Sequence, residues 1–388
     1  MPEDQQTVND TLAENCKMQR LSCFTHSLQL VIKDGLKDTS GLSSTLAKLS
    51  RAANLLHSGT SFKDCFEACS GDATIPTANA TRWNSTLKQV KAYVHLDMQK
   101  LSSVLESVGH KSLILSPREY AQLKELIEVL DPFLEATNLT QGETTVTVSV
   151  IVPCVLTLRC YLQEIRGKAR YCGPLVRALE SSLKTRFAEV FSAVKIPGCE
   201  PAEGRGPTKF PFTNAYFIAS VLDPAFGFQR LEHDVQLDSD VKDVLKTEIK
   251  EYIKAEGDKQ AVSTADAAEA TGPGEGELSE SPPEKQLRMF SHYRRTPSST
   301  EKKPSGQAQL TAYLNLIAEQ DSDSVPCLRF WQQNKSKFPT LYQIATQVFS
   351  IPTSSAPIER VFSHGGILMR PHRARLSSSM LSDLMFLK

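Results

Sequence analysis

The residues nearest to a recognisable chemistry are a carboxylate late in the chain and a cysteine–histidine pair early in it. Glu359 lies in IPTSSAPIERVFSHGG, residues 351–366, after serines that can cap a helix and a proline suited to its first turn. This carboxylate is either a structural acid stabilised by the helix dipole or a catalytic one, and the stretch fits both. Cys23 and His26 have C-x-x-H spacing and could hold a metal ion, but no second ligand pair lies at zinc-finger distance. A buried structural histidine is the favoured interpretation.

The stretch around the carboxylate also predicts a short helix with one buried face. Ile358, Val361 and Phe362 recur at helical spacing and form an apolar stripe. Gly365 and Gly366 follow the stripe, and we expect the helix to end there because glycine is common just beyond a helix.

A second group of metal-ligating types is His57, Cys65 and Cys69. The two cysteines are four residues apart, so they face one side of a helix, and the histidine could reach them from a neighbouring helix. The chain has nine cysteines at irregular spacing and no C-x-x-C pair. We therefore expect mostly buried free thiols rather than a disulfide framework, and we keep a zinc site only as a minor hypothesis.

Two segments carry residue types that contact nucleic acid. In TRWNST, Arg82 precedes Trp83, one of two tryptophans in the chain. The pair could stack an unpaired base and hold a phosphate, whereas the residues alone favour a core tryptophan beside a surface arginine. MRPHRAR is the densest basic run and contains Arg370, Arg373 and Arg375. Such a run is usually a solvated face, but it could also hold a phosphate backbone.

The composition is that of a globular chain without an overall electrostatic field. Hydrophobic residues make up 40% and charged residues 23%, and 44 basic side chains balance 44 acidic ones. Contact with nucleic acid must then depend on local patches. The N-terminus is acidic and polar, and we see no run of about 18 apolar residues, so we expect no signal peptide and no membrane segment. Nucleotide-binding, esterase and metalloprotease motifs are absent, and spacing alone indicates no enzyme class.

Helical periodicity dominates the first two thirds of the chain. Ser116, Pro117 and Glu119 form a capping box with proline at its first helical position, and apolar residues follow at helical spacing. PLVRALESSLKTRFAEVF and FTNAYFIASVL predict two further helices. TTVTVSVIV alternates like a strand but runs without a turn signal into helical PCVLTLRCYLQEI, so its residues leave the structure open.

A segment rich in Pro, Gly, Ser and Glu, residues 255–308, separates this part from the end of the chain. It is too polar to offset its ordering entropy, and we expect a disordered linker or an inserted loop. Several apolar stripes at helical spacing follow within about 80 residues. So short a region cannot cover all of them, so we expect the N-terminal part or a second subunit to cover some.

Taken in order, these segments resemble the hAT superfamily of DNA transposases and the BED zinc-finger proteins domesticated from them. CFTHSLQLVI is similar to the family's C-x-x-H-x-L-N-L segment, with Gln29 at the asparagine position. TRWNST matches a family block, and ASVLDPAF resembles another, with Ala225 where a basic residue is common. Residues 330–388 resemble the family's C-terminal dimerisation region almost throughout.

The resemblance implies a mainly α protein. It implies an incomplete ribonuclease-H-like α/β core at residues 1–95, a large all-helical insertion at 96–254, the linker at 255–308 and a helical dimerisation region at 309–388. It also implies a helix over SVIVPCVLTL, and we follow it there against the strand-like alternation.

In active relatives a D-D-E triad binds two divalent ions for strand transfer. The resemblance aligns Glu359 with the family's glutamate, His26 with its active-site histidine and Trp83 with a tryptophan that steadies a flipped base. The two aspartates belong upstream of C-x-x-H, and neither Asp4 nor Asp10 lies in a segment similar to theirs. We therefore expect Glu359 to be an unpaired catalytic relic, with no divalent-metal cofactor unless such aspartates exist upstream. We also expect the BED finger, which normally lies farther upstream, to be missing.

The main hypothesis is a non-catalytic, transposase-derived nuclear protein that forms a homodimer or larger homo-oligomer, has DNA as a further partner and has no contact with a membrane. We expect Trp83, Arg82 and the basic run to contact DNA. The alternative is the C-terminal part of an active hAT transposase. The apolar residues expected at the contact between copies are Phe330, Trp331, Leu341, Ile344, Val348, Ile358, Val361, Phe362, Leu384 and Leu387.

Overall fold

The computed structural model describes residues 22–37, 39–58, 60–71, 73–79, 83–196, 210, 213–227, 239–240, 242–244, 246–255, 305–319, 326–369 and 377–386. These residues are mainly helical, and no strand occurs among them. The helices before the predicted linker include α1 (Phe24–Lys37), α2 (Ser40–Ser58), α3 (Thr60–Ser70), α4 (Trp83–Val94), α5 (Met98–Ser107), α6 (Pro117–Thr140), α7 (Ile151–Ile165), α8 (Gly173–Arg186), α9 (Ala188–Ala193) and α10 (Asn214–Leu222). Residues 242–244 and 246–255 are also helical. Those after it are α11 (Gly306–Glu319), α12 (Cys327–Gln333), α13 (Pro339–Phe349), α14 (Ala356–Leu368) and α15 (Ser378–Phe386).

Local signals place the start of α6, which is the longest of these helices. The Ser116 hydroxyl accepts a hydrogen bond from the backbone N–H of Glu119, and the Glu119 carboxylate accepts one from the Ser116 N–H. Pro117 opens the helix. The predicted capping box is confirmed, and both donors would otherwise lack a partner at the helix start.

The strand-like segment before PCVLTL is helical. Val148–Val150 form a 3₁₀ turn that leads directly into α7, so the helix implied by the resemblance is confirmed. Our expectation of no long apolar run was wrong, because Val148–Ile165 is long and apolar enough by composition to cross a membrane. In this fold 44% of that stretch is buried, and it packs against α6, α8 and α10 as a core helix does.

The hydrophobic core includes residues from both regions that were predicted to be separate, 1–95 and 96–254. Helix α1 packs along α8, and the two helices lie close together at Gly35, where a Cβ would be 2.6 Å from Leu179 Cδ2. The buried Arg186 guanidinium donates to the Asp34 carboxylate at 2.6 Å across the same contact. The described part of residues 1–95 is helix and coil, and it shares one hydrophobic core with residues 96–196. A ribonuclease-H-like core is therefore not confirmed.

The C-terminal region docks on the end of α10. Tyr313 of α11 donates its hydroxyl to the Val221 carbonyl at 3.2 Å, and the Trp331 indole N–H of α12 donates to the Leu222 carbonyl at 2.8 Å. Helix α13 also packs against α10. The N-terminal part thus covers one side of this region. The predicted linker lies almost wholly outside the described residues, apart from 255 and 305–308.

Candidate functional site: the start of α14 and the apolar C-terminal face

The C-x-x-H segment and the start of α14 meet, although about 330 residues separate them along the chain. The Phe24 backbone N–H donates to the Thr353 carbonyl at 2.8 Å. The Cys23 sulfur accepts hydrogen bonds from two backbone N–H groups, that of Ser355 at 3.4 Å and that of His26 at 3.5 Å. One thiol therefore caps the first turn of α1 and fixes the residue that precedes α14.

A buried threonine layer adds the end of α6 to this junction. Thr353 donates its hydroxyl to the Thr140 carbonyl at 3.3 Å, and the hydroxyls of Thr25 and Thr140 lie 3.2 Å apart. All three side chains are almost completely buried. Because their polar groups are paired with one another or with backbone, burial carries little of the usual penalty, and the three chain segments are held at fixed spacing.

Glu359 lies in the first turn of α14 and is exposed. Its carboxylate accepts the Ser355 hydroxyl at 2.7 Å, while the Ala356 N–H at the helix start is bound by the Ser354 hydroxyl at 3.1 Å. This position suits a structural acid, since a carboxylate is stabilised at the positive end of the helix dipole. Pro357 occupies the first turn as predicted. Asp4 and Asp10 lie outside the described residues.

His26 is exposed in the first turn of α1, so the expectation of a buried histidine was wrong. Within the described ranges, no three His, Cys, Asp or Glu side chains form a group that could hold a metal ion. The zinc hypothesis for His57, Cys65 and Cys69 is therefore wrong, and the His57 ring nitrogen instead lies 3.0 Å from the Ile75 carbonyl oxygen.

Trp83 begins α4 and is only 9% exposed, so its ring packs in the core and is closed to a base in this arrangement. Its indole N–H is buried and has no hydrogen-bond partner among the described residues. The other predicted DNA contacts, Arg82, Arg370, Arg373 and Arg375, lie outside the described residues.

The structure divides the ten residues expected at the contact between copies into two groups. Five of them are buried within the chain, in the core that α12 and α13 build on α10 and α11: Phe330, Trp331, Leu341, Ile344 and Val348. Four are at least 39% exposed on α14 and α15: Ile358, Val361, Phe362 and Leu384. Leu387 lies outside the described residues. The stripe of α14 is thus exposed rather than buried, and the predicted buried face of this helix was wrong.

The two predicted terminal glycines are inside α14, which runs to Leu368. Gly365 is buried against α15, and a Cβ there would lie 3.0 Å from the Met385 sulfur. The glycine therefore serves close packing between the two helices rather than helix termination.

We call the exposed apolar side chains of this helix pair the apolar C-terminal face: Ile358, Val361, Phe362, Ile367, Met369, Met380, Leu384 and Phe386. A cavity of about 570 Å³ opens between α14 and α15 beside this face. Its lining residues are Glu143, Pro357, Arg360, Val361, His364, Leu368, Leu384 and Met385. Arg360 ties α14 to the loop after α6, since its guanidinium lies 2.6 Å from the Glu143 carboxylate and donates to the Gln141 carbonyl at 3.0 Å.

Sequence reasoning missed the role of Asp223 in ASVLDPAF. The buried Asp223 carboxylate accepts the Ser149 hydroxyl at 2.6 Å and the Ala225 N–H at 3.1 Å. Burial raises the pKa of the Cys327 thiol, and the neighbouring Asp223 carboxylate raises that pKa further. Asp223 is thus a buried acceptor at the contact between α10 and the C-terminal region, and the LDP block was the signal that could have indicated it.

Comparisons with known proteins agree with the sequence resemblance. Residues 309–388 match the hAT family C-terminal dimerisation region. The chain is 20% identical over 404 residues to the putative AC transposase of Zea mays, covering all of this chain and 46% of that protein. It is 17% identical over 391 residues to the human zinc finger BED domain-containing protein 4, covering 99% of this chain and 30% of that protein. It is 22% identical over 387 residues to the human zinc finger BED domain-containing protein 6, covering 94% of this chain and 37% of that protein.

The chain spans less than half the length of these relatives. Similarity to both transposases and BED-type proteins extends along nearly the whole chain, and the dimerisation region lies at its end. The resemblance drawn from the sequence is confirmed, and the chain is a hAT-derived protein.

Proposed function

We propose that this chain is a non-catalytic nuclear protein that self-associates through the apolar C-terminal face. The observation that carries the proposal is the position of this face. It lies within the part that matches a dimerisation region, on α14 and α15, whereas the earlier helices of that part use their apolar residues inside the chain.

The number of exposed apolar side chains on α14 and α15 supports the proposal that a second copy of the chain covers this surface. The other exposed large apolar residues in the described ranges are Leu139, Val244 and Leu328, each on a different helix. Single residues of this kind are normal, whereas eight lie on the packed helix pair α14 and α15, and large exposed apolar patches usually mark an interface. Burying a Phe, Leu or Ile side chain contributes roughly 1.5–3 kcal/mol, so a few such residues offset part of the cost of association.

The non-catalytic part of the proposal depends on the environment of Glu359. A two-ion transposase needs three carboxylates around its metals, and the Glu359 oxygen here accepts a serine hydroxyl at a helix start. The sequence offers no segment similar to the family's aspartate block. We therefore propose no divalent-ion cofactor for this chain.

One observation favours a second candidate, the C-terminal part of an active transposase. The C-x-x-H segment and the helix of Glu359 are held together by direct hydrogen bonds, as the parts of one site would be. The relatives are also more than twice as long as this chain. A strand-transfer assay on a longer chain that includes the upstream aspartates tests this candidate, and activity lost in Glu359→Gln supports it.

Contact with DNA and a nuclear location are proposed from the relatives, one of which is named a transposase and two of which are named zinc finger proteins. Filter binding at rising salt tests the DNA contact. We expect affinity to fall steeply with salt, because such binding depends on phosphate contacts. Binding that does not change with salt, or no binding, contradicts it.

Self-association is tested by light scattering of the full chain over a range of concentrations. We expect a dimer or larger oligomer for the wild type and for Leu328→Asp, and a monomer for Phe362→Asp. Phe362 and Leu328 are both largely exposed, at 69% and 53%, and both lie in the matched region, but only Phe362 belongs to the apolar C-terminal face. A monomeric wild type, or an unchanged mass for Phe362→Asp, contradicts the proposal.

A further inference from the structure

The turn between α7 and α8 concentrates positive charge in a chain that has none overall. From residue 164 to residue 184 the sequence has five basic and two acidic side chains, whereas the basic and acidic side chains of the whole chain balance. Residues 166–172 connect the two helices, so the basic residues of this turn lie at the same end as the start of α8. We call the following cations the basic turn surface: Arg166, Lys168, Arg170, Arg177 and Lys184.

The cations of α8 lie on the side of the helix that faces away from the core. Arg177 and Lys184 are seven positions apart and so lie within about 20° of each other around the helix. Leu175 and Leu179, which approach Gly35 of α1, are each about 160° from Arg177. Arg177 is accordingly exposed, while both leucines are buried.

The two carboxylates of this region are already paired and balance only part of its charge. Glu180 lies 3.5 Å from the Arg166 guanidinium and 3.4 Å from the Lys184 ammonium, and its side chain is only 8% exposed. Glu164 pairs with Lys168 at 2.7 Å. One buried carboxylate between two cations leaves the solvent-facing side of the pair positive. The local field of the basic turn surface therefore points outward.

Two arginines of the surface have no carboxylate partner within the described ranges, Arg170 and Arg177. Both are exposed. The Arg177 guanidinium reaches back to the start of α8, since a Cβ on Gly173 would lie 3.7 Å from its Nη1. The Arg170 guanidinium carbon lies 6.0 Å from the centre of the Tyr171 ring. Each guanidinium thus retains donors that can bind two oxygens of one anion.

The turn that carries these arginines is anchored to the body of the protein. The Glu125 carboxylate of α6 accepts the Tyr171 N–H at 3.0 Å and the Cys172 N–H at 2.9 Å. The turn is therefore held in place before any partner binds, and ordering it adds little to the cost of association.

We propose that the basic turn surface binds the phosphate backbone of duplex DNA, and this inference rests on the DNA contact proposed above. Phosphate contacts are made by Arg and Lys side chains, and the positive end of a helix dipole strengthens them. Here the cations surround the start of α8. Trp83 is buried in this structure, so the proposed contact also needs no exposed tryptophan.

The lack of apolar side chains favours a nucleic acid over a protein partner. None of the exposed large hydrophobic residues in the described ranges lies between positions 164 and 184. A protein interface is usually built around buried aromatic or aliphatic anchors, and a helix that binds a membrane surface inserts such residues. A DNA backbone needs neither, because its contacts are charged and sequence-independent.

The first test compares two double variants of the full chain by fluorescence anisotropy with a duplex of random sequence. Arg170→Ala with Arg177→Ala removes two cations of the surface, and Arg51→Ala with Arg329→Ala removes two exposed arginines on α2 and α12. Each phosphate contact contributes about 0.9 to the slope of log affinity against log salt, so the first variant should lose about 2 from that slope. At about 0.15 M salt its Kd should rise roughly 30-fold, and the control should match the wild type.

The second test separates charge from shape. Arg170→Lys with Arg177→Lys keeps both charges and should keep the wild-type salt slope, because a lysine binds phosphate as a point charge. A structural role of the two guanidinium groups would not be restored by lysine. Far-UV circular dichroism of every variant confirms that the helices remain folded.

Four results overturn the proposal, and they can be told apart. If the wild type binds no duplex, the proposed DNA contact and this surface both fail. If the wild type binds but the alanine variant at Arg170 and Arg177 binds equally well, only this surface fails. If the variant at Arg51 and Arg329 weakens binding as much, the effect is one of overall charge. If the alanine variant at Arg170 and Arg177 keeps DNA binding and loses binding to vesicles of phosphatidylcholine and phosphatidylserine, the surface serves lipid headgroups instead.

Discussion

Leu341 is the residue at which stability within the chain and association between chains can be separated most sharply. It lies on α13, is completely buried, and belongs to the region that matches a dimerisation region. A side chain that is already enclosed by its own chain has no surface left for a partner. Leu341→Ala should therefore lower the free energy of unfolding and leave the contact between copies unchanged.

The size of the effect follows from the burial. Truncating a fully buried leucine to alanine commonly costs about 2–5 kcal/mol, because transfer free energy is lost and a cavity remains. Helix α13 contacts α10, α11 and α12, so the site is enclosed on several sides and cannot easily collapse. We expect a loss near the middle of the range, about 3 kcal/mol, which corresponds to a fall in Tm of roughly 6–12 °C for a large domain.

The assay is urea unfolding followed by far-UV circular dichroism, with the mass in the absence of urea measured by light scattering. All variants are compared at one protein concentration, since dimerisation itself stabilises the folded chain. The control is Leu328→Ala, because Leu328 lies on the neighbouring helix α12 but is 53% exposed, and its unfolding free energy should change by less than about 0.5 kcal/mol. If Leu341→Ala abolishes the proposed self-association while its unfolding free energy stays at the wild-type value, the division into residues buried within the chain and residues free for a partner is wrong.

Three further changes test the packing of the chain. Gly35→Ala should destabilise the fold by roughly 1–3 kcal/mol in urea, because a Cβ there overlaps α8, whereas Gly41→Ala, with open space around it, should be neutral or stabilising. Burial alone would raise the pKa of Asp34, but hydrogen bonds from Arg186 and Ser182 outweigh it and hold that pKa below its ordinary value of 3.8. Stability from this pair is therefore present above pH 4 and lost as pH falls through the lowered pKa, and Asp34→Asn should flatten acid unfolding between about pH 5 and 2. A fragment of residues 305–388 should show little helical circular dichroism, because its buried Tyr and Trp donors lose the carbonyls of α10; a well-folded fragment would contradict this docking.

Local signals in the sequence were sufficient to predict where single helices begin. The Ser116 capping box and the proline at α14 act through neighbouring backbone groups, so their effect is set within four residues. The resemblance was needed only for α7, where β-branched residues favour a strand locally and burial among three helices decides for a helix. The strand-forming core that the resemblance implied for residues 1–95 does not occur in the described residues.

Periodicity could not show which apolar stripe faces the chain and which faces outward. Leu341 and Phe362 belong to equally regular stripes, yet one is buried and the other is 69% exposed. The difference is set by α10, which is more than 110 residues away along the sequence and covers α13 but not α14. For the same reason the glycines of α14 were misjudged, since the need for Gly365 comes from Met385 and not from the helix end.

The hydrogen bond from the Phe24 N–H to the Thr353 carbonyl can form only after a delay during synthesis of the chain, because its two residues are far apart in sequence. A ribosome adds roughly 5–20 residues per second, so Thr353 is made about 15–65 s after Phe24. Helix α8, the main packing partner of α1, is complete after roughly half that time. At that point the Phe24 N–H in the first turn of α1 still lacks its acceptor, the Thr353 carbonyl. The Ser355 N–H, which donates to the Cys23 sulfur, is made at almost the same time as Thr353. The start of α1 is therefore completed only when the segment that leads into α14 has been made, so the C-x-x-H segment depends on residues made about 330 positions later.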